Sequence, residues 1–157
     1  MSGVVSDRKD LDTTIGADGM QQNYLVLSDA ERAKGFVRHV RTAYKHVGRS
    51  VCGKPRIGDK LALDPGKVAW VCTGAPGHEG DCFSWMQASE PELQRFDKTG
   101  FVGGCDSVTT MGRELAETYA RDFSFYGATF CVNCRKHLPV GASGEFVWEP
   151  DGSKVGT

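Results

Sequence analysis

The chain has 157 residues, 19 Lys and Arg against 20 Asp and Glu, a formal net charge of −1, and 20 glycines. That length fits one domain, or one carrying an insertion, and rules out a large multidomain machine. The charge balance excludes a uniformly basic histone-like binder and an acidic mimic of nucleic acid, and no apolar run approaches the roughly 20 residues that cross a bilayer as a helix.

Residues 1–22 mix Ser2, Gly3, Ser6, Asp7, Gly16, Asp18 and Gly19 with no sustained period of two or 3.6, which predicts a disordered arm. Asp7, Arg8, Lys9, Asp10 and Asp12 stand where a secretory signal would carry an apolar run, so the expected compartment is the cytoplasm. Order is expected from Tyr24-Leu25-Val26-Leu27, followed by a short helical turn that Ser28 caps, Glu31 supports and Gly35 ends. From Phe36 to Tyr44 the residues Phe36, Val40 and Tyr44 can share one side of a strand, with Arg41 and Lys45 forming a basic face opposite. Residues 48–82 are dense in glycine and proline and leave room only for short strands such as Val68–Cys72. Ser89-Glu90-Pro91-Glu92 predicts a capped helix with Leu93 and Phe96 facing inward and Gly100 as its stop. A second helix is predicted to begin after Thr109 or Thr110 and to run through Met111, Leu115 and Tyr119, with Glu117 and Arg121 as an exposed i,i+4 pair. Residues 122–132 favour strand, and Glu145–Glu149 with Asp151-Gly152 and Val155 read as a terminal hairpin.

Six cysteines in a chain without a signal segment read as metal ligands rather than disulfides, because cytosolic thiols are kept reduced. Cys52, Cys72, His78 and Cys82 have the spacing C-x19-C-x5-H-x3-C, and the glycines of CTGAPGHEGDC allow the tight turns that bring Cys72, His78 and Cys82 onto one ion. Three thiolates and one imidazole complete a tetrahedral zinc shell. The second set is the C-x2-C knuckle Cys131-Val132-Asn133-Cys134 with Cys105 upstream, Asn133 being the residue suited to unusual backbone angles. Arg135-Lys136-His137-Leu138-Pro139 does not resemble the helix that follows a thioredoxin-type CxxC. For the fourth ligand His46 is preferred, since it ends the basic strand just before the glycine-rich segment; His137 is the alternative. His46 and Cys105 on one ion would make the intervening residues an excursion that carries the first cluster.

The segments Leu115–Asp122, Phe125–Cys131 and Glu145–Trp148, with Gly35–Arg38 and Tyr44–His46, resemble small uncharacterised zinc-knuckle proteins of phages and prophages. The resemblance covers about half of the chain, implies zinc, and brings no established activity. It also implies a host cytoplasm or a virion as the setting.

Thiolate-rich, four-ligand shells point to structural rather than catalytic zinc, because a catalytic ion keeps a position for water. A zinc deaminase would show H-x-E and P-C-x-x-C, whereas His78 and Glu79 are adjacent and Phe130 precedes Cys131. An HNH-like nuclease, the second alternative, finds only a fragment of its motif in His137. Between Arg32 and Gly58 lie eight basic residues (Arg32, Lys34, Arg38, Arg41, Lys45, Arg49, Lys54 and Arg56) and no acidic one. Such a stripe can follow a phosphate backbone, with Arg38, Arg41, Lys45 and Arg49 as its centre and Phe36 and Tyr44 as stacking rings.

These readings together predict a small α+β, zinc-ribbon-like fold with short antiparallel strands, about two helices and two zinc ions. The expected layout is an arm over 1–22, a knuckle core over 23–47 and 100–157, and an inserted zinc-stabilised subdomain over 48–99. The expected role is a non-catalytic binding module contacting nucleic acid or a nucleoprotein complex. The alternative is a protein-binding factor, attached to a virion or modifying a host complex, that uses Trp85, Trp148 and residues 123–126.

Overall fold

The structure, a computed structural model, describes residues 3–53 and 68–157. The elements in chain order begin with β1 (Gly3–Val5), a single 3-10 turn (Arg8–Asp10), β2 (Asn23–Leu25), α1 (Asp29–Arg32), β3 (Ala43–His46) and β4 (Gly48–Ser50). They continue with β5 (Val68–Cys72), β6 (Trp85–Ser89), α2 (Glu90–Thr99), β7 (Phe101–Gly103) and β8 (Val108–Thr110). Last come α3 (Arg113–Arg121), β9 (Ala128–Cys131), β10 (Lys136–Pro139) and β11 (Phe146–Trp148). This is a small α+β protein whose chain divides into two compact units, residues 1–46 with 105–157 and residues 47–104.

The first unit is built on the antiparallel sheet β11-β3-β8. Tyr44 faces Trp148 and His46 faces Phe146 across β3 and β11, so the period of two along β3 sends Tyr44 and His46 into the interior together. Around Tyr44 the core is aromatic: Tyr119, Tyr126, Phe146 and Trp148 are all buried there, with Leu25, Met111, Ala116, Cys131 and Val155. Tyr44 meets Phe146 and Trp148 edge to face at 5.4 and 6.1 Å, and Tyr119 meets Trp148 at 5.8 Å, the geometry that the ring quadrupoles favour. Buried phenols need acceptors, and Tyr44 donates to the Phe130 carbonyl at 2.6 Å while Tyr126 donates to that of Leu25 at 2.9 Å.

Three local expectations differ from this unit. Residues 36–42 form no strand; the amides of Val37 and Arg38 both donate to the Ala120 carbonyl at the end of α3, which takes this segment out of the sheet and shortens β3 to Ala43–His46. Thr109 and Thr110 belong to β8, paired with Tyr44 and Ala43, so α3 starts only at Arg113 with Gly112 as its N-cap. Glu117 is 2% exposed and does not pair with Arg121; it is held by Arg32 Nε at 2.7 Å and Arg113 Nε at 3.1 Å. Arg121 instead donates to the Gly35 carbonyl at 2.9 Å.

Residues 3–22, expected to be an arm, are built into the same unit. β1 runs parallel to β2, with Gly3 opposite Asn23 and Val5 opposite Leu25. Gly19 has φ +81° and lies against the Arg135 carbonyl, where a Cβ would collide with backbone. Short, polar sequence with no period gave no sign of this order, because the partners that hold it lie from about 20 residues away in β2 to more than 100 away at Arg135.

In the second unit β5 and β6 pair antiparallel, with Trp70 opposite Gln87 and Cys72 opposite Trp85. β6 passes directly into α2, whose entry is closed by the Glu92 carboxylate accepting the Ser89 amide at 2.7 Å and whose exit is Gly100 at φ +79°. β4 and β7 pair with Gly48 opposite Gly103. Among the described residues the buried apolar side chains here are small: Val47, Val51, Val71, Ala88 and Val102, beside Cys72. Lys54 and Arg56 of the basic stretch lie outside the described residues.

Candidate metal centres

Each unit contains one Cys3His cluster: His46, Cys105, Cys131 and Cys134 in the first, and Cys52, Cys72, His78 and Cys82 in the second. Within each, one donor atom per residue lies within 4.8 Å of the other three. A tetrahedral zinc with Zn–S near 2.3 Å and Zn–N near 2.0 Å sets donor-to-donor edges of about 3.5–3.8 Å. His46 Nδ1 lies 3.3, 3.8 and 3.4 Å from the sulfurs of Cys105, Cys131 and Cys134, and the Cys105 and Cys131 sulfurs are 3.5 Å apart. In the second cluster His78 Nε2 lies 3.4 Å from the Cys72 sulfur and 3.5 Å from that of Cys82. All six cysteines are free thiols. Both clusters can hold a metal ion.

The first cluster is assembled by long-range pairing. β3 delivers His46, β9 ends on Cys131, and the turn from Cys131 to Cys134 closes with the Arg135 amide donating to the Cys131 carbonyl at 2.8 Å. The strained residue of this knuckle is Arg135, at φ +54°, rather than Asn133. Cys105 is brought beside His46 because the Asp106 amide donates to the His46 carbonyl at 2.8 Å. His137 lies elsewhere. Its Nδ1 donates to the Gly19 carbonyl at 2.9 Å, which leaves Nε2 to accept from the Tyr24 hydroxyl at 3.0 Å.

The far side of His46 holds a residue with no metal-binding signature in the sequence. With Nδ1 turned to the sulfurs, Nε2 donates to the Glu145 carboxylate at 3.0 Å, and the ring lies 5.1 Å from that of Phe146. A carboxylate behind a ligating imidazole fixes its tautomer and strengthens it as a donor. Glu145 escapes sequence reasoning because its place is set only by the register of Phe146 against His46.

The second cluster is mostly local. Cys72 ends β5, His78 and Cys82 sit on the loop before β6, and the Gly74 amide donates to the Cys72 sulfur at 3.4 Å. Cys52 joins them through two backbone bonds, its amide to the Gly74 carbonyl and that of Gly53 to Cys72, both 2.9 Å. Gly53 has φ +68° and lies flush against the Phe96 ring, so a side chain there would displace the ring or the loop. Among the described residues His78 has the Glu79 carbonyl behind it, 3.4 Å from Nδ1.

Thiols packed this closely cannot ionise alike. Burial opposes the Cys105 thiolate, yet hydrogen bonds from Ser107, His46 and Cys131 bring it down to about 6, while burial and the neighbouring Cys131 and Cys105 sulfurs push Cys134 up to about 12. Cys72 is brought to about 7 against burial by the Gly74 amide, His78 and its partner thiols, and Cys82 is raised to about 11 first by the Cys72 sulfur and then by burial. A divalent cation removes that mutual repulsion for all the sulfurs at once.

The basic residues are dispersed. Arg41 is 12% exposed and paired with Asp151 at 2.8 Å, and Lys45 is 3.5 Å from Glu149. Arg38 is exposed, with its guanidinium 4.3 Å above the Phe123 ring. Arg49 is exposed on β4, in the other unit. The continuous stripe expected from the sequence is therefore reduced, in the first unit, to the segment around Arg38. Tyr44, expected as a stacking ring, is 2% exposed and belongs to the core. Among the described residues no helix is long and apolar enough to cross a membrane. No protein-family model, curated protein or solved structure matches the chain.

Proposed function

We propose that this chain is a non-catalytic binding module held by two structural zinc ions, with a zinc-ribbon-like arrangement around the Cys131–Cys134 knuckle, and that it contacts nucleic acid. The observation that carries the zinc reading is the near-tetrahedral spacing of His46 Nδ1 and the Cys105, Cys131 and Cys134 sulfurs. Four protein donors leave no position for a reacting water, and three thiolates make a poor Lewis acid, which supports a structural role. An HNH-like nuclease is disfavoured because His137 has both ring nitrogens engaged by Gly19 and Tyr24. Nucleic-acid contact is supported by the exposed segment 36–39, which joins Phe36 and Val37 to Arg38 and His39. An accessory role in a phage or prophage setting is part of this proposal and rests on the sequence resemblance of residues 115–122, 125–131 and 145–148 alone.

The protein-binding surface expected at Trp148 and residues 123–126 is reduced by the burial of Trp148 and Tyr126, and a protein-binding role draws its support instead from the second unit, where Phe83 is 85% exposed beside Cys82 and Trp70 is 36% exposed on β5. Elemental analysis of the purified protein, with binding to single- and double-stranded oligonucleotides across a salt series, tests both readings. Two zinc ions per chain and affinity that falls steeply with salt are expected. Absence of zinc refutes the first reading, and absence of oligonucleotide binding at low salt refutes the second in favour of a protein partner.

A further inference from the structure

Residues 36–41 leave the sheet and line a groove of about 410 Å3 formed by Phe36, Val37, Arg38, His39 and Arg41. The two apolar members face solvent, Phe36 at 39% and Val37 at 58% exposure. The groove also holds two cations in fixed positions. Arg38 lies over Phe123, donates to the Val37 carbonyl and to a main-chain oxygen of Thr157, and has no Asp or Glu side chain as partner among the described residues. Arg41 lies 4.8 Å above the Trp148 ring, with Nη1 taken by Asp151 and Ser153. Its Nε is a buried donor with no partner among the described residues. Stacking on rings removes the rotamer freedom that a surface arginine ordinarily loses on binding, so both guanidiniums are preorganised.

An exposed ring and an exposed, preorganised guanidinium within one nucleotide-sized groove match a ligand that carries a planar face and an anion together. From this geometry we infer that the groove seats one nucleotide of a single-stranded nucleic acid, with its base against Phe36 and its phosphate on the exposed Arg38 guanidinium. A duplex keeps its bases stacked on one another and cannot offer one to Phe36. The inference rests on the nucleic-acid reading above and gives it a strand preference and a position.

The test is fluorescence anisotropy with fluorescein-labelled mixed-sequence strands of about 12 nucleotides, DNA and RNA, against the matching duplex, with adenosine monophosphate as competitor. The single strand should bind more tightly than the duplex, and the mononucleotide should compete only weakly. Phe36→Ala should weaken the single strand by about 5- to 150-fold and leave the duplex unchanged, while Phe36→Tyr restores binding. Arg38→Ala should lower the slope of log affinity against log salt by about 0.7, the loss of one phosphate contact. Both residues are exposed, and retention of two zinc ions reports that each variant is folded. Equal affinity for strand and duplex with no effect of Phe36→Ala overturns the groove and leaves nucleic-acid binding standing; no binding of either form overturns both. Competition by the mononucleotide at the strand's own affinity overturns the strand assignment.

Discussion

Removal of metal should unfold the second unit while the first keeps its aromatic core. The reason lies in what each unit buries. Burying a valine contributes about 1.5–3 kcal/mol, and a structural Cys3His zinc contributes about 10–16 kcal/mol. The four buried valines described in residues 47–104, Val47, Val51, Val71 and Val102, thus amount to about 6–12 kcal/mol, comparable with or below the contribution expected of an ion bound in that cluster. The first unit has Tyr44, Tyr119, Tyr126, Phe146 and Trp148 interlocked behind its cluster. Its histidine is also clamped by Glu145, whereas among the described residues His78, on a loop, has a main-chain carbonyl, that of Glu79, behind it. A chelator of intermediate affinity should therefore withdraw one zinc first. In 1H–15N correlation spectra of the whole chain, amides of residues 68–104 should collapse to the unfolded range while those of β3, α3 and β11 keep their dispersion. Cys82→Ser should give the same spectrum without chelator. Loss of both ions in one step, or a second unit that stays dispersed after losing its ion, would refute the assignment of its stability to metal.

Glu145→Gln should lower the zinc affinity of the first cluster by about 10- to 100-fold, read by competition with a chromogenic chelator, and leave the second cluster unchanged. Arg32→Ala should cost about 1.5–3 kcal/mol in denaturant unfolding of the zinc-loaded protein, because it leaves the buried Glu117 carboxylate to Arg113 alone. Adding Glu117→Gln should recover part of that loss, and strict additivity of the two changes would argue against the pair. Burial raises Tyr44 from 10.0 to about 12, with Tyr119 and Tyr126 raised for the same reason. The folded state therefore holds these protons more tightly than the unfolded chain, so the contribution is complete below pH 10 and lost as pH rises toward 12, about 2–3 kcal/mol for Tyr44. Phenolate absorbance should rise in one cooperative step coincident with unfolding; gradual ionisation near pH 10 with the fold intact would contradict the burial.

What could be read from the chain is what depends on neighbours in sequence. Ser28 and Ser89 mark helix starts and Gly100 a helix end because caps act within one turn. Cys131 and Cys134 announce a knuckle, and Cys72, His78 and Cys82 a loop able to close on one ion, because a few glycine-rich residues determine how near those side chains can come. The choice of His46 over His137 could be framed from the sequence, yet only the register of β3 against β11 and β8 places its ring among the sulfurs with Glu145 behind it. Burial of Glu117, capture of Arg41 by Asp151 and of Lys45 by Glu149, and the order of residues 3–22 against β2 and Arg135 were equally out of reach. Each joins positions some 20 to 120 apart along the chain. Charge and hydropathy along a sequence say which groups need a partner, and only the closing of long loops decides which partner each one meets.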